Sequence, residues 1–376
     1  GKASFADLQD SSGRIQLHAR LDQLGKEGYE DFRRLDLGDI IGITGLVFRT
    51  RRGEISVELE SFELLAKALR PLPEKWHGLK DVELRYRMRY LDLIANPEVR
   101  SVFEARSKAI SSMRGYLEAH DFLEVETPVL HPIAGGAYAR PFVTYHNALD
   151  MKLYLRIAPE LYLKRLLVGG IERVFEIGKN FRNEGISTKH NPEFTAMEAY
   201  WSYADFIDMM ALTEELVAHV VAEVIGSTQV EFQDIVLDFT PPWPKVPMAE
   251  LVQEATDMDF LAMDDEEARS SAQGLGLEVK PHMTAGEVLN AVFEEKVEQS
   301  LIQPMFVTHH PVDVSPLAKR NAQNPKVTDR FEAYANSWEI ANGFSELNDP
   351  LDQRGRMEEQ MKARERGDEE AHFIDE

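Results

Sequence analysis

Residues that could hold a charged substrate are concentrated in Phe181-Arg-Asn-Glu-Gly-Ile-Ser-Thr-Lys-His-Asn-Pro-Glu-Phe-Thr-Ala-Met-Glu-Ala-Tyr-Trp201. The stretch reads as strand, charged loop, strand. Arg173-Val-Phe-Glu-Ile-Gly leads up to Arg182, and Gly185 and Pro192 disfavour helix in the loop. The return segment is rich in aromatic residues and Thr, as strands are. Side chains alternate along a strand, so Phe194, Glu198 and Tyr200 share one face while Thr195, Met197 and Trp201 share the other. One face thus presents a ring, a carboxylate and a phenol beside a basic loop carrying Arg182 and His190. That set suits a nucleotide held next to a small cation.

Three further segments bear residues of the right type. Glu332 and Glu339 flank a turn near Ala335-Asn-Ser337, and a hairpin there brings two carboxylates together. Like charges at such range repel and raise a pKa. A divalent cation removes the conflict, and a few hard oxygen ligands completed by substrate phosphates are what Mg²⁺ uses. Downstream, Asn342, Phe344 and Glu346 are spaced by two and share a face. The turn Ala134-Gly135-Gly136 permits close backbone approach to a ligand. Glu160 opens a helical stretch, where a carboxylate also favours the helix dipole. A solvated hairpin, a plain loop and a dipole contact are the ordinary structural roles for these features.

The elements that must carry these groups follow from periodicity. Ala3 to Leu8, Arg14 to Leu21, Asp39 to Phe48 and Glu54 to Leu64 have β-type patterns punctuated by Gly13, Gly38 and Gly53, so residues 1–70 are expected as short strands. Pro71 to Gly78 reads as a linker, with Trp76 packing between domains. Val99, Phe103, Ile110, Met113 and Leu117 recur at helical spacing, predicting a helix from Pro97 to Ala119, then a strand Phe122-Leu-Glu-Val-Glu. Lys152 to Ile157 reads as a strand, Ala158 to Leu167 as a helix closed by Gly169-Gly170, and Ala204 to Ile225 as an amphipathic helix. Phe306 to His309 reads as a strand. Asp352 to Glu376 reads as a mixed-charge helix with a solvated face.

Composition bounds the partners. The 376 residues, 43% hydrophobic and 28% charged, suit a soluble chain of two or three domains. A net charge of -23 opposes non-specific coating of nucleic acid, although Arg51, Arg52, Lys67, Arg70 and Lys75 make the N-terminal part locally basic. No cysteine is present, which excludes disulfides and thiolate zinc sites and weakly favours the cytoplasm. No apolar run reaches the length of a membrane span, and no signal-peptide layout precedes the first strand.

Phe-Arg-Asn-Glu-Gly followed by His-Asn-Pro-Glu-Phe resembles motif 2 of the class II aminoacyl-tRNA synthetases, and within them the lysyl-tRNA synthetases. Glu-Ile-Ala-Asn-Gly-Phe-Ser-Glu-Leu-Asn-Asp (339–349) resembles the corresponding segment of that family. Gly-Asp-Ile-Ile-Gly-Ile-Thr-Gly (38–45) and Lys-Ala-Leu-Arg-Pro-Leu-Pro (67–73) resemble its OB-fold anticodon domain. The helix–strand–proline unit ending at Thr127-Pro128 resembles motif 1, which in the family forms a dimer interface. The resemblance implies an α+β fold, with a class II antiparallel sheet flanked by helices and an N-terminal OB-fold β-barrel. It divides the chain into an anticodon-binding domain at 1–70, a linker at 71–94 and a catalytic domain at 95–376. Motif 1 then spans about 97–128, motif 2 about 173–203 and an insertion about 226–300. A first barrel strand and motif 3 are expected outside the chain, which starts at Gly1 and reads as a partial segment.

The same resemblance implies ATP-dependent activation of L-lysine and transfer to tRNA(Lys), with Mg²⁺ as cofactor, by a cytoplasmic homodimer. Carried over position by position, Arg182 binds the ATP α-phosphate and the lysine carboxylate. His190 contacts phosphates, Asn191 and Phe194 hold adenine, and Glu332 and Glu339 bind Mg²⁺ with ATP. Gly136, Glu160, Glu198, Tyr200, Asn342, Phe344 and Glu346 line the lysine pocket, with Glu198 and Glu346 as countercharges to the ε-ammonium. Phe5 and Glu54 match positions that read anticodon bases. The chemistry is coherent: a buried ammonium needs paired carboxylates, and neutral analogues leave those acids unpaired. Two alternatives are a paralogue that lysylates another acceptor and a non-catalytic RNA-binding descendant. The β-rich N-terminal region opposes the first; the presence of Arg182, Glu332 and Glu339 opposes the second.

Overall fold

The computed structural model describes residues 2–70, 72, 79–137, 139–187 and 190–365, with only the backbone described at 359–360 and 362–365. Trp76 and Lys75 of the expected linker, and 366–376 of the expected terminal helix, lie outside the described residues. The chain divides into two compact units, Gly1–Glu104 and Ala105–Glu376.

In the first unit, strands β1 (Ala3–Gln9), β2 (Arg14–Arg20), β3 (Ile40–Arg49) and β4 (Ile55–Ala66) form one sheet in the order β1-β2-β4-β3. β2 and β4 run parallel, and the other neighbours antiparallel. The expected barrel is thus an open four-stranded sheet: among the described residues no pairing joins β1 to β3. The all-strand expectation for this region also fails, because α1 (Leu21–Arg33) follows β2 directly. Tyr29 and Phe32 on α1 bury against Leu17, Ala19, Val57 and Leu59, with Leu21 and Leu24 packed alongside. Those four α1 positions fit a helical stripe, interrupted where Gly25 takes φ +72. Two short helices, α2 (Val82–Arg87) and α3 (Arg89–Ala95), occupy much of the expected linker. They close around Asp92, which is fully buried and accepts from Arg85 (2.7 Å), Arg89 and Asn96 (2.7 Å).

Helix α4 (Val99–Ala119) runs from the first unit into the second. The strand after it is shorter than expected: only β5 (Leu123–Glu124) pairs, in parallel with β9 (Arg173–Phe181). Between them lie β6 (Leu130–His131), β7 (Val143–His146) and β8 (Met151–Leu155), a small antiparallel sheet, and α5 (Glu160–Val168). β9 pairs antiparallel with β10 (Glu193–Trp201), setting Glu198 opposite Glu176 and Tyr200 opposite Val174. Met197, Ala199 and Trp201 pack on Leu117, Phe122, Leu212 and Leu216, so the apolar face of β10 rests on α4 and α6 (Phe206–Ile225). α6 starts where Asp205 and Asp208 form a reciprocal capping box.

The 226–300 region comprises a hairpin, β11 (Gln229–Phe232) with β12 (Ile235–Asp238), the short β13 (Lys245–Pro247), and α7 (Met248–Thr256), α8 (Asp265–Gly274) and α9 (Ala285–Lys296). These helices share a core around Val252, Phe260, Val288, Val292 and Phe293. β13, β14 (Met305–Thr308), β15 (Arg330–Ala335) and β16 (Trp338–Phe344) form a sheet in that order, antiparallel except for β13 with β14. β15 and β16 are joined by a two-residue turn in which Asn336 (φ 53) and Ser337 (φ 60) are both left-handed, the geometry that matches strand twist. Tyr334 pairs with Glu339 but Ala333 pairs with Ala341, so Ile340 is an extra residue that bulges from β16. The last described element is α10 (Pro350–Glu365). No described helix is long and apolar enough to cross a membrane.

Candidate active site

The polar face of the β9–β10 hairpin is built from below. Arg156, just past β8, is 2% exposed. Its Nε donates to the Lys179 carbonyl (2.9 Å) and its Nη1 to Glu176 Oε1 (2.5 Å) and Thr127 Oγ1 (3.1 Å). Thr127 Oγ1 donates in turn to Glu176 Oε2 (2.6 Å). A buried guanidinium is tolerable because its charge and donors are matched. Gly178 makes room for it: a Cβ there would lie 2.2 Å from Arg156 Nη2.

Above this layer the Arg182 amide donates to the Pro192 carbonyl (2.9 Å), closing the charged loop. Its guanidinium stands 5.1 Å over the Phe194 ring, a cation–π contact. Arg182 Nε is buried without a hydrogen-bond partner among the described residues. A buried donor in that state carries an unmet desolvation cost and suits an anionic oxygen. In the loop, His190 Nδ1 and its amide both engage Ser187 Oγ (2.9 and 3.0 Å), and Asn191 Nδ2 donates to the Glu193 carbonyl (2.6 Å). Thr188 and Lys189 lie outside the described residues.

The acidic pocket draws on three elements. Glu160, at the start of α5, is 5% exposed. Gly136 abuts it with φ +88, and a Cβ would fall 2.9 Å from Glu160 Cβ, so both conformation and space demand glycine. Glu198 accepts from the Tyr200 hydroxyl (3.0 Å). Glu346, beyond β16, and Glu160 are bridged by Lys164, whose Nζ lies 2.8 Å and 2.6 Å from them. Burial and then the Glu160 charge push the Glu198 carboxyl up to about 7, against Tyr200, Arg182 and Arg156. Burial likewise pushes Glu346 up to about 7; Lys164 opposes the shift and Glu160 reinforces it. Burial works against the Lys164 charge, but Glu160 and Glu346 outweigh it and raise its pKa. Burial, Glu160 and Glu198 hold the Tyr200 phenol protonated.

The β15–β16 hairpin brings its two carboxylates to one face, lining a cavity of about 190 Å³ with Asn290, Glu294, Glu298 and Arg330. Glu332 accepts from Arg330 Nη2 (2.5 Å) and Tyr334 Oη (2.6 Å). Burial opposes its charge, yet His310, Arg330 and Tyr334 together keep its pKa below the ordinary value. Burial lowers His310 itself to about 4, so at neutral pH Arg330 and Tyr334 are the effective partners. Burial and then Glu332 push Glu339 up to about 7. Glu339 therefore takes up a proton well before Glu332 does, and the repulsion behind that is the conflict a divalent cation relieves. Among the described residues no group of three or more His, Asp or Glu side chains is arranged as a metal site. Two carboxylates on one face are hard oxygen donors of the kind a divalent cation takes alongside phosphate oxygens and water. Asn342 is exposed, its Oδ1 accepting from Arg330 Nε (3.1 Å), and Phe344 is half-buried opposite Arg330.

In the first unit Phe5 is 60% exposed and stacks on His18 at 4.7 Å with planes 10° apart; Phe48 follows at 5.7 Å from His18. Glu54 is exposed in the turn before β4, its amide donating to Thr50 Oγ1 (3.1 Å). The register sets Phe5 against His18 and His18 against Glu58, so Phe5 and Glu54 are not cross-strand neighbours. Lys67 is engaged by Asp36 and Asp39, which removes it from the expected basic surface.

Sequence reasoning missed Lys164, Arg156, Arg330 and Tyr334. Lys164 stands one helical turn from Glu160, a spacing that signals an ion pair. Arg330 and Tyr334 alternate with Glu332 along one strand face. Arg156 left no signal, since it sits at the end of an ordinary strand pattern.

Residues 81–376 match the family described as tRNA synthetases class II (D, K and N), and residues 1–65 match the OB-fold nucleic acid binding domain. The chain is 60% identical over 379 residues to a lysine–tRNA ligase of Pelotomaculum thermopropionicum, covering all of this chain and 75% of that protein. It is 59% identical over 377 residues to the enzyme of that name from Carboxydothermus hydrogenoformans (all of this chain, 77% of that one). Against the lysine–tRNA ligase of Bacillus subtilis it is 56% identical over 377 residues (all of this chain, 76% of that one). With a matched catalytic fold over more than half its length and such relatives along all of it, the chain belongs to the lysine–tRNA ligase family of the class II tRNA synthetases.

Proposed function

We propose that this chain activates L-lysine with ATP to form lysyl-adenylate and transfers the lysyl group to the 3′-terminal ribose of tRNA(Lys). One arrangement carries the assignment to lysine. Glu160, Glu198 and Glu346 converge from α5, β10 and the segment after β16, close to an arginine with an unmet donor. A pocket of this charge selects an alkylammonium tail and rejects a carboxylate or amide.

In this reading Gly136, Glu160, Glu198, Tyr200, Asn342, Phe344 and Glu346 line the lysine pocket. Phe194 stacks on adenine, Asn191 holds its edge, and His190 reaches the phosphates. Arg182 binds both the lysine carboxylate and the α-phosphate, which aligns the two reactants. A carboxylate oxygen of lysine attacks the α-phosphorus, the new oxygen–phosphorus bond forms, and pyrophosphate leaves with the electrons of the broken bond. No protein nucleophile is required. Arg182 stabilises the charge that develops at phosphorus. Glu332 and Glu339 would hold Mg²⁺, which supplies positive charge to the phosphate oxygens. In the second step a ribose hydroxyl attacks the activated carbonyl and AMP leaves. Phe5 and Glu54 read the anticodon, a role to which the exposed Phe5–His18 stack is suited. The exposed Val102 and Phe103 on α4 support a homodimer through that helix.

The test is ATP–pyrophosphate exchange with a panel of amino acids, followed by charging of tRNA. Lysine alone is expected to support exchange. Exchange with aspartate and not with lysine overturns the assignment.

A further inference from the structure

Lys164 is unassigned by the reading above, yet its ammonium is paired with two of the three pocket carboxylates. Its Nζ lies 2.6 Å from Glu160 Oε1 and 2.8 Å from Glu346 Oε2, and so ties an α5 residue to the segment after β16. Glu198, the third carboxylate, has the Tyr200 hydroxyl and no ion pair among the described residues. Three carboxylates and one internal ammonium leave a net charge that a single substrate cation reduces but does not reverse. We propose that Lys164 is a positioning residue for lysine binding: it pairs with Glu160 and Glu346 together, holds both side chains in place, and leaves the carboxylate charge it does not cancel, with Glu198, to meet the substrate ammonium. This inference rests on the pocket being a lysine site.

The physical need is clear from what its removal would leave. Without that cation the buried Glu160 carries an uncompensated charge, which is strongly unfavourable and displaces it, and the partly exposed Glu346 takes up a proton more readily or turns toward solvent. A displaced Glu160 and a protonated Glu346 attract a substrate ammonium less, and a protonated Glu346 also becomes a donor able to satisfy neutral tails. The other charged or titratable groups facing the cluster are Glu198 and Tyr200 from β10, Arg182 after β9 and Arg156 after β8. Both arginines are cations on the side of Glu198, so neither replaces the bridge between Glu160 and Glu346.

The experiment is ATP–pyrophosphate exchange by Lys164→Met, which keeps the aliphatic bulk, and Lys164→Ala, which leaves space for a short amine. Thermal unfolding verifies that each variant is folded. Lys164→Met is expected to raise the lysine KM about tenfold or more at pH 7, with the ATP KM unchanged within about twofold. Its lysine KM should also vary more steeply between pH 6 and 8 than that of the wild type. In Lys164→Ala, added n-propylammonium should lower the raised KM, since that probe restores an ammonium on a chain of similar length. An unchanged lysine KM overturns the proposal. So does a lower one, which would make Lys164 a competitor for the substrate's seat. Equal rises for lysine and ATP without propylammonium rescue mark a purely structural role and overturn it as well. Failure of the wild type to exchange with lysine would instead defeat the lysine reading itself.

Discussion

On the proposed reading of the acidic pocket, its raised carboxyls make lysine affinity a function of pH, and the dependence is calculable. Glu198 and Glu346 are each pushed up to about 7. The substrate ε-ammonium stays protonated far above that pH, so only the protein groups titrate. A carboxyl of pKa about 7 is roughly one-tenth ionised at pH 6 and nine-tenths ionised at pH 8. If the cation binds only the ionised form, one such group changes affinity about tenfold over that range, and two acting independently about a hundredfold. Affinity therefore rises with pH through 7. Glu198→Gln should remove one factor, leaving about a tenfold change. It should also weaken binding at pH 8 by roughly ten- to a hundredfold, the worth of a charged hydrogen bond of about 1.5–3 kcal/mol. Titration calorimetry with lysine, without ATP, measures both quantities, and buffers of different ionisation heat count the protons released. The stability sign is opposite. A carboxyl raised from 4.5 in the unfolded chain to about 7 in the fold costs stability progressively as pH climbs through that window. Unliganded Glu198→Gln should therefore melt higher than the wild type at pH 8 and lose that advantage below about pH 4.5. A lysine affinity flat from pH 6 to 8, or a Glu198→Gln variant with the full wild-type pH dependence, would refute the reasoning.

Other consequences are simpler to state. Arg182→Ala should lower the exchange rate by about 10²–10³ while the protein stays folded, because charge at phosphorus goes unmatched; a variant within about threefold of wild type removes Arg182 from the reaction. Gly136→Ala places a side chain at φ +88 and 2.9 Å from Glu160 Cβ. Strain of about 1–2 kcal/mol and a displaced Glu160 should lower Tm and raise the lysine KM, and an unchanged KM would separate Gly136 from the pocket. Phe5→Ala should weaken tRNA binding by the ~1–3 kcal/mol of one stacked base and spare pyrophosphate exchange; unaltered charging takes Phe5 off the RNA surface.

Much of this site was legible because its chemistry is written in short runs. The β9–β10 hairpin follows from aromatic and Thr residues alternating around a Gly- and Pro-bearing loop, and the face shared by Phe194, Glu198 and Tyr200 follows from a period of two. The β15–β16 turn was legible in position, since Asn336 and Ser337 are residues that accept a tight turn. What escaped depends on distance in space. Helix α1 leaves a weak local pattern, because its apolar residues are sparse and Gly25 and Gly28 break the run; packing on Leu17 and Leu59 decides for helix. The open edge of the first sheet is a matter of which strands pair, to which local patterns are blind. The spacing of Lys164 from Glu160 signals at most one ion pair within the helix. Only the fold brings Glu346, from far along the chain, to its ammonium.

Counting by twos along β16 would send Glu339 and Asn342 to opposite sides of the strand. Both nevertheless attend the side of Glu332, because Ile340 is the surplus residue that resets the alternation between them. That hydrophobe acts as a phase shifter. Excising it would restore a perfect ladder and, in doing so, invert one half of the strand relative to the other: either Glu339 abandons Glu332, or Asn342 and Phe344 turn away together. For anyone redesigning this enzyme, strand length here is as much a part of the recognition chemistry as the acids themselves.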